Sequence, residues 1–201
     1  MTPTDFKSYF KKTNNWSTFN PMWQFKMILL VLWALFSVPC FGQFADPITI
    51  ESDVPILELA IAADIDGDDD LDILTSTRGD HAISWYENLD GLGNFGPKQF
   101  IDDNLDQNSF VNAADLDGDN DMDVIASTAS LDIIVWYENL DGLGNFGPQI
   151  LVTDQVVSPK QTIAVDLDGD SDLDLVTTSR EDFKLAWYEN EDGNGTFGSQ
   201  Q

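Results

Sequence analysis

The chain has 201 residues and a formal net charge of −27, from 36 acidic and nine basic residues. Residues 43–201 carry 35 of the acids against five bases, whereas residues 1–42 carry one acid and four lysines. Nucleic acid is excluded as a natural partner of so acidic a surface, because binding it requires Lys and Arg to neutralise phosphates. Cations are the expected partners.

Residues 1–42 are predicted to be an export signal peptide. Ten apolar residues, Met27–Phe36, follow Lys26 and lead into Cys40 and Gly42, whose small side chains are typical of a cleavage site after Gly42. The alternative is a transmembrane anchor. An anchor needs roughly 20 apolar residues, and Pro39 interrupts this run too early.

The details of this leader have consequences for the mature chain. Residues 1–21 are polar and long for a signal peptide, so Met22 or Met27 is a candidate true start. Cys40 is the only cysteine, and lipid attachment there is the alternative to cleavage after Gly42. Cleavage would leave a secreted or cell-surface protein with no disulfide and no stable membrane span. A bound metal is one known substitute for the missing disulfides.

Residues 43–201 contain three copies of one unit of 51 residues, approximately 48–98, 99–149 and 150–201. Each copy has a short apolar run, an acidic loop, a β-branched run, a turn, a Trp-Tyr-Glu-Asn segment, a Gly-rich loop and an outer apolar run. No segment past the leader has a convincing helical period. Four short strands in about 50 residues match the size of a propeller blade. The sequence therefore predicts an all-β fold of three β-propeller-type blades.

The register of the repeats predicts an incomplete propeller. Ile48–Ser52 aligns with the fourth strand of a blade, and the third copy stops at Gln201, before its own fourth strand. Propellers usually have at least about four blades. We therefore expect a partial propeller, completed by further repeats or by self-association.

Each acidic loop spans nine residues with Asp at positions 1, 3, 5, 7 and 9 and Gly at position 4. Alternate carboxylates from one tight turn can converge on a hard cation, and calcium takes six to eight oxygen ligands. We assign the side chains at positions 1, 3, 5 and 9 and the backbone carbonyl at position 7. About three calcium ions are expected. The candidate residues are Asp64, Asp66, Asp68, Asp70 and Asp72; Asp115, Asp117, Asp119, Asp121 and Asp123; and Asp166, Asp168, Asp170, Asp172 and Asp174.

Three alternatives compete with a calcium loop. An EF-hand requires Gly at position 6 and Glu at position 12 between helices, and this motif has neither. Magnesium prefers fewer protein ligands and more water. A solvated acidic turn without metal is the third, but three copies with identical ligand spacing argue against it. Position 6 (Asp69, Asn120 or Ser171) is expected to need a left-handed backbone, which Asp and Asn tolerate better than Ser.

The loops and the Phe-Gly pairs downstream resemble the FG-GAP or VCBS-type repeat. The Phe-Gly pairs are Phe95–Gly96, Phe146–Gly147 and Phe197–Gly198, whereas the Gly-Ala-Pro part of the motif is reduced to a proline or lost. The resemblance covers roughly residues 48–201. It implies β-propeller blades with calcium in the hairpin between the first two strands, as in the integrin α-subunit head. It also implies a module for adhesion, recognition or scaffolding.

Other motifs in the sequence carry residue types that could bind a ligand or catalyse a reaction. The aromatics of Trp-Tyr-Glu-Asn (Trp85, Trp136 and Trp187) are predicted to pack between blades, with a sugar-stacking platform as the alternative. Arg78–Asp80 reads Arg-Gly-Asp, but the other copies do not repeat it. The single histidine, His81, has no repeated counterpart, so a Ser-His-Asp hydrolase has no base. A carboxylate-only glycosidase or lyase is disfavoured because the repeated aspartates are already explained as ligands.

The sequence therefore predicts a secreted or cell-surface, calcium-binding and non-catalytic module for adhesion or ligand recognition. Its partner is an unknown protein or glycan. The alternatives are a lectin-like carbohydrate-binding propeller and an accessory domain of a polysaccharide-degrading enzyme.

Overall fold

The structure is a computed structural model that describes residues 47–105 and 109–201. The predicted leader lies outside the described residues. The strands in the described part are β1 (Leu57–Ala63), β2 (Asp72–Thr77), β3 (Ala82–Tyr86), β4 (Gln99–Asp102), β5 (Ser109–Ala114), β6 (Asp123–Thr128), β7 (Ile133–Tyr137), β8 (Ile150–Thr153), β9 (Pro159–Val165), β10 (Asp174–Ser179) and β11 (Lys184–Tyr188). Within these two stretches no helical segment has the length and apolarity of a membrane span.

The strands form three antiparallel sheets in chain order, one for each sequence repeat. Blade one contains β1-β2-β3-β4, blade two contains β5-β6-β7-β8, and blade three contains β9-β10-β11. Successive antiparallel neighbours place the β1–β2 acidic loop and the β3–β4 Gly-rich loop at the same end of the blade. The prediction of an all-β fold of blade-sized units is confirmed.

The two ends of the repeat array depart from the predicted register. No strand is formed by Ile48–Ser52, so the expected outer strand there is wrong. An outer strand needs a third strand beside it, and none precedes this segment in the described part of the chain. Glu51 nevertheless accepts a hydrogen bond from the Tyr86 hydroxyl, as Asp102 does from Tyr137 at 2.7 Å. At the other end, Gln201 exchanges two backbone hydrogen bonds with Trp187, which is the first ladder pair of a fourth strand.

The hydrophobic core lies between consecutive blades. One cluster joins blades one and two around Trp85, and a second joins blades two and three around Trp136. The two tryptophan residues are 2% and 3% exposed. Each ring packs on a glycine of the next blade. A Cβ atom would lie 2.3 Å from the ring at Gly144 and at Gly195.

This packing decides between the two interpretations of the repeated aromatics. The prediction that they pack between blades is confirmed for Trp85 and Trp136, and the sugar-stacking alternative is wrong for these two residues. Only glycine, which has no Cβ, allows this close approach, and this accounts for Gly144 and Gly195 in the Gly-rich loops.

Candidate metal centre

The first aspartate of each acidic loop folds the loop around its own carboxylate. Asp64 Oδ1 accepts the amides of Gly67 and Asp68 at 2.9 and 3.2 Å, and its Oδ2 accepts the amide of Asp69 at 3.1 Å. Gly67 and Asp69 both have left-handed backbones, with φ of 72°. The same turn recurs at Asn120 and Ser171, with φ of 73° and 84°, so the left-handed prediction for position 6 is confirmed.

The ninth aspartate closes the loop onto the end of the third strand of its blade. These three carboxylates are 0–1% exposed, and each oxygen accepts one backbone N–H. Ile65 and Asn88 donate to Asp72 at 2.9 and 2.8 Å, Leu116 and Asn139 to Asp123 both at 2.9 Å, and Leu167 and Asn190 to Asp174 at 3.1 and 2.9 Å. A carboxylate offers about four lone-pair sites, so each ninth aspartate keeps sites for a cation.

The predicted ligands converge in the first two copies. Carboxylate oxygens of positions 1, 3 and 9 lie within 4.8 Å of one another, namely Asp64, Asp66 and Asp72, and Asp115, Asp117 and Asp123. Calcium binds oxygen at about 2.3–2.6 Å, so two ligands on opposite sides of one ion are about 5 Å apart. These spacings therefore fit a shared ion.

Asp66 supplies an independent indication of a missing partner. Its Oδ1 atom is buried and accepts no hydrogen bond. A buried polar atom without a partner costs roughly 1–3 kcal/mol, and more when it is charged. The atom lies in the cluster with Asp64 and Asp72, so a cation there would remove the cost.

The electrostatics of the loops also favour a cation. The pKa of Asp66 is raised to about 6, first by burial and then by the charges of Asp72 and Asp68. Burial raises the pKa of Asp123 to about 7, although backbone donors from Asn139 and Leu116 oppose the shift. Both groups resist ionisation because like charges surround them in a partly dry loop. A bound divalent cation would reverse this balance.

The carboxylates at positions 5 and 7 make other contacts in the first copy. Asp68 Oδ1 accepts the amide of Asp70 at 2.9 Å, which shapes the turn. The Asp70 carboxylate lies against the Gly-rich loop, where a Cβ on Gly91 would come within 2.2 Å of it. Asp119 and Asp121 repeat the first of these contacts at 2.9 Å. The three-carboxylate clusters of copies one and two do not include positions 5 and 7, whereas Asp170, at position 5, belongs to the cluster of copy three. Ligation by positions 5 and 7 stays a prediction.

The third loop is arranged differently. Its converging carboxylates are Asp166, Asp168 and Asp170, all exposed, although Asp172 lies against Gly193 just as Asp70 lies against Gly91 in copy one. Among the described residues, no loop of a following blade covers the third loop. Gly67 and Gly118 each lie close to a carbonyl of the next blade, at Gly142 and Gly193, whereas Gly169 has no atom within 4 Å of its Cβ position.

Sequence reasoning missed the asparagine that connects one loop to the next blade. Asn139 is fully buried and donates from Nδ2 to the carbonyl of Ile65, in the acidic loop of blade one, at 2.8 Å. Its Oδ1 accepts the amide of Gly144 at 3.2 Å. Asn190 donates to Leu116 at 2.9 Å in the same way. The repetition of Asn at the end of each Trp-Tyr-Glu-Asn segment was the signal that could have identified it.

The Arg-Gly-Asp sequence, Arg78–Asp80, is held in a turn by its own neighbours. Asp80 accepts hydrogen bonds from the Thr77 hydroxyl and, at 2.7 Å, from Lys98 Nζ. Burial alone raises the pKa of Asp80, but these two donors lower it overall. The amide of the central glycine donates to the carbonyl of Pro55 at 3.0 Å. The Asp80 carboxylate is therefore paired within its own blade.

Comparison with known proteins supports this description of the repeats. Residues 64–126 match the FG-GAP-like repeat family. The resemblance to the FG-GAP type of repeat is therefore confirmed, and the matched segment contains the first two acidic loops. No curated protein is significantly similar to the chain.

The solved structures similar in fold include a lectin. It is an Agrocybe aegerita lectin, described for its specific recognition of non-reducing terminal N-acetylglucosamine, and it shares 23% sequence identity with this chain at a TM-score of 0.57. The match covers 73% of this chain but 38% of the lectin, so the chain spans well under half of that protein's length. This likeness establishes the fold, which consists of β-propeller-type blades.

Proposed function

We propose that this chain is a non-catalytic, calcium-binding β-propeller module that recognises a protein or glycan ligand outside the cytoplasm. The observation that carries the calcium part is the buried, unpartnered Oδ1 of Asp66 inside a cluster of three carboxylates. The cluster recurs at Asp115, Asp117 and Asp123 with the same backbone turn. The FG-GAP-like match supports the assignment, since it covers both loops.

Calcium suits these loops better than other divalent cations. The donors are carboxylates and backbone carbonyls, which are hard oxygen ligands, and no histidine or cysteine belongs to the clusters within residues 47–105 and 109–201. Several carboxylates in one flexible turn match the larger coordination number of calcium rather than the octahedral demands of magnesium. The bound ion would neutralise like charges and fix the loop, and thus position the blade end that carries it.

The three sites are not equivalent in this proposal. In blades one and two the acidic loop is bonded to the next blade through Asn139 and Asn190. The third cluster is exposed on all three of its carboxylates. A more solvated and less rigid site binds calcium more weakly. We therefore expect two tighter sites and one weaker site.

Calorimetric titration of the chain with calcium tests the proposal. Affinities of extracellular type, on the order of 10⁻⁴ to 10⁻³ M, are expected, and chelator should lower the melting temperature because the ion binds only the folded state. Asp66→Asn should remove one of the tighter sites. Asp69→Asn is the matched control, since it removes the same charge from an exposed position that is already Asn120 in copy two.

Two results would overturn the calcium proposal. One is a melting curve that is identical in calcium and in chelator. The other is an equal loss of calcium binding in Asp66→Asn and Asp69→Asn. That result would show that calcium is attracted by the acidic surface as a whole and not coordinated by specific ligands.

A glycan is the ligand class favoured by one further observation, the fold likeness to a lectin. If the ligand is a glycan, Trp85 and Trp136 do not form its binding platform, because both are buried. The loop ends of the blades are the remaining candidate surface. Extracytoplasmic localisation rests on the apolar run Met27–Phe36 and on the lack of cysteine after Cys40.

A further inference from the structure

Blade three presents an apolar face that is buried in the other two blades. Ile83 of blade one and Ile134 of blade two are 1% and 0% exposed, whereas Leu185, at the same position in blade three, is 73% exposed. Leu167 and Ile163 on this face are 53% and 42% exposed. We call the face of a blade that packs on the following blade its exit face. The exit face of blade three has no following blade among the described residues.

Blade one presents the complementary face, the one that packs on a preceding blade, here called its entry face. Ala113 and Ala164 pack into the two inter-blade clusters, while Ala62, at the same position in blade one, is exposed. Leu71 is 59% exposed, although its counterpart Met122 packs against the first cluster. Within the described part of the chain, this apolar entry face therefore lacks a preceding blade.

The exit face of blade three has the tryptophan, and the entry face of blade one has the glycine, of a contact that both internal junctions make. At each internal junction, a tryptophan packs on a glycine of the next blade: Trp85 on Gly144, and Trp136 on Gly195. The next tryptophan, Trp187, is only partly buried. The preceding glycine, Gly93, has no described atom within 4 Å of its Cβ position. Within the described residues, Trp187 on blade three therefore lacks a glycine to pack on, and Gly93 on blade one lacks a tryptophan, so the two residues could form the same contact with each other.

The polar contacts at the junctions show the same correspondence. Each junction has an Asn side chain that donates to a carbonyl of the preceding acidic loop, Asn139 to Ile65 and Asn190 to Leu116. The counterparts left at the open faces are Asn88 on blade one and the carbonyl of Leu167 on blade three. Asn88 Nδ2 donates to Leu71 at 3.2 Å and has a second hydrogen to donate. Glu51 already accepts a hydrogen bond from Tyr86, as Asp102 of β4 does from Tyr137.

We propose that two copies of this chain associate head to tail, with the exit face of blade three in one copy bound to the entry face of blade one in the other. The contact would repeat the junction chemistry already present twice within the chain. It is heterologous, because two different faces meet, and such contacts form a ring when the rotation closes. Two copies joined through both junctions give six blades, within the usual range of about four to eight.

Sedimentation of the full chain in calcium-containing buffer, alongside two face variants, tests this proposal. The unchanged chain should sediment as two copies. Leu185→Glu on the exit face and Ala62→Glu on the entry face should each sediment as one copy, since a buried unpaired charge is costly. Leu92→Glu should remain paired, because the equivalent Leu143 stays 67% exposed at the formed junction between blades one and two. Circular dichroism verifies that each variant is folded, as exposed positions should allow.

Mixing the two single-copy variants gives the decisive result. A Leu185→Glu chain keeps an intact entry face, and an Ala62→Glu chain keeps an intact exit face. One junction can therefore still form, and an equimolar mixture should yield a one-to-one pair. A single-copy unchanged chain, a Leu185→Glu chain that still pairs, or a mixture without pairs would each overturn the proposal. If another segment of the chain covers either face, the unchanged chain will sediment as a single copy.

Discussion

Replacement of Trp136 by alanine measures how much stability the junctions between blades provide. The ring is 3% exposed and packs on Gly195 of blade three. Burying a tryptophan removes roughly 150–250 Å² from water, which at about 25 cal/mol per Å² amounts to at most about 4–6 kcal/mol. Measured Trp→Ala changes in cores cost about 3–5 kcal/mol. We expect a loss of about 3–5 kcal/mol in the free energy of unfolding.

The assay is urea unfolding followed by far-ultraviolet circular dichroism, at concentrations where sedimentation shows single chains. Trp187→Ala is the matched control, because its ring is already partly exposed and should cost only about 1–2 kcal/mol. Should Trp136→Ala fail to fold, Trp136→Phe should show a smaller loss in the same direction. A Trp136→Ala chain of unchanged stability that has lost binding to a glycan array would refute this account and restore the sugar-platform interpretation.

Two further predictions follow from the junctions and the acidic loops. Gly144→Ala should destabilise the chain more than Gly93→Ala in thermal melts, because both glycines have positive φ but only the first Cβ would strike Trp85; equal losses would mean that backbone strain alone matters. The raised pKa values of Asp66 and Asp123, about 6 and 7 against 3.8, mean that the metal-free fold binds more protons than the unfolded chain between about pH 4 and 7. Its melting temperature in chelator should therefore fall as pH rises through this window, less steeply in Asp66→Asn, and a rise would contradict the assignment.

The sequence by itself determined the repeat, the blade-sized units and the candidate ligands. Short-range patterns carry this information, since strand alternation and the nine-residue spacing of carboxylates are local properties of the chain. The left-handed backbone at position 6 was predictable for the same reason, because it depends on the turn alone. The match to the FG-GAP-like repeat at residues 64–126 rests on these same local features.

Other features required the tertiary structure. The ninth aspartate is both a candidate ligand and the residue that closes the loop onto the third strand, as the bond from Asn139 to Asp123 shows. The bond from Asn139 to Ile65 joins residues 74 positions apart, and no local pattern encodes such a partner. The sequence also made Ile48–Ser52 an outer strand, whereas strand formation depends on a neighbour that the segment lacks in the described structure.

The inequality among the three repeats is the clearest case of what only the tertiary structure decided. Ile83, Ile134 and Leu185 occupy the same position in nearly identical repeats, yet their exposure is 1%, 0% and 73%. The residue types do not distinguish them, because all three are large and apolar. Burial depends on whether another blade packs against the face. That condition belongs to the assembly of blades, so the open faces and the more exposed third acidic loop become visible only when the blades are placed side by side.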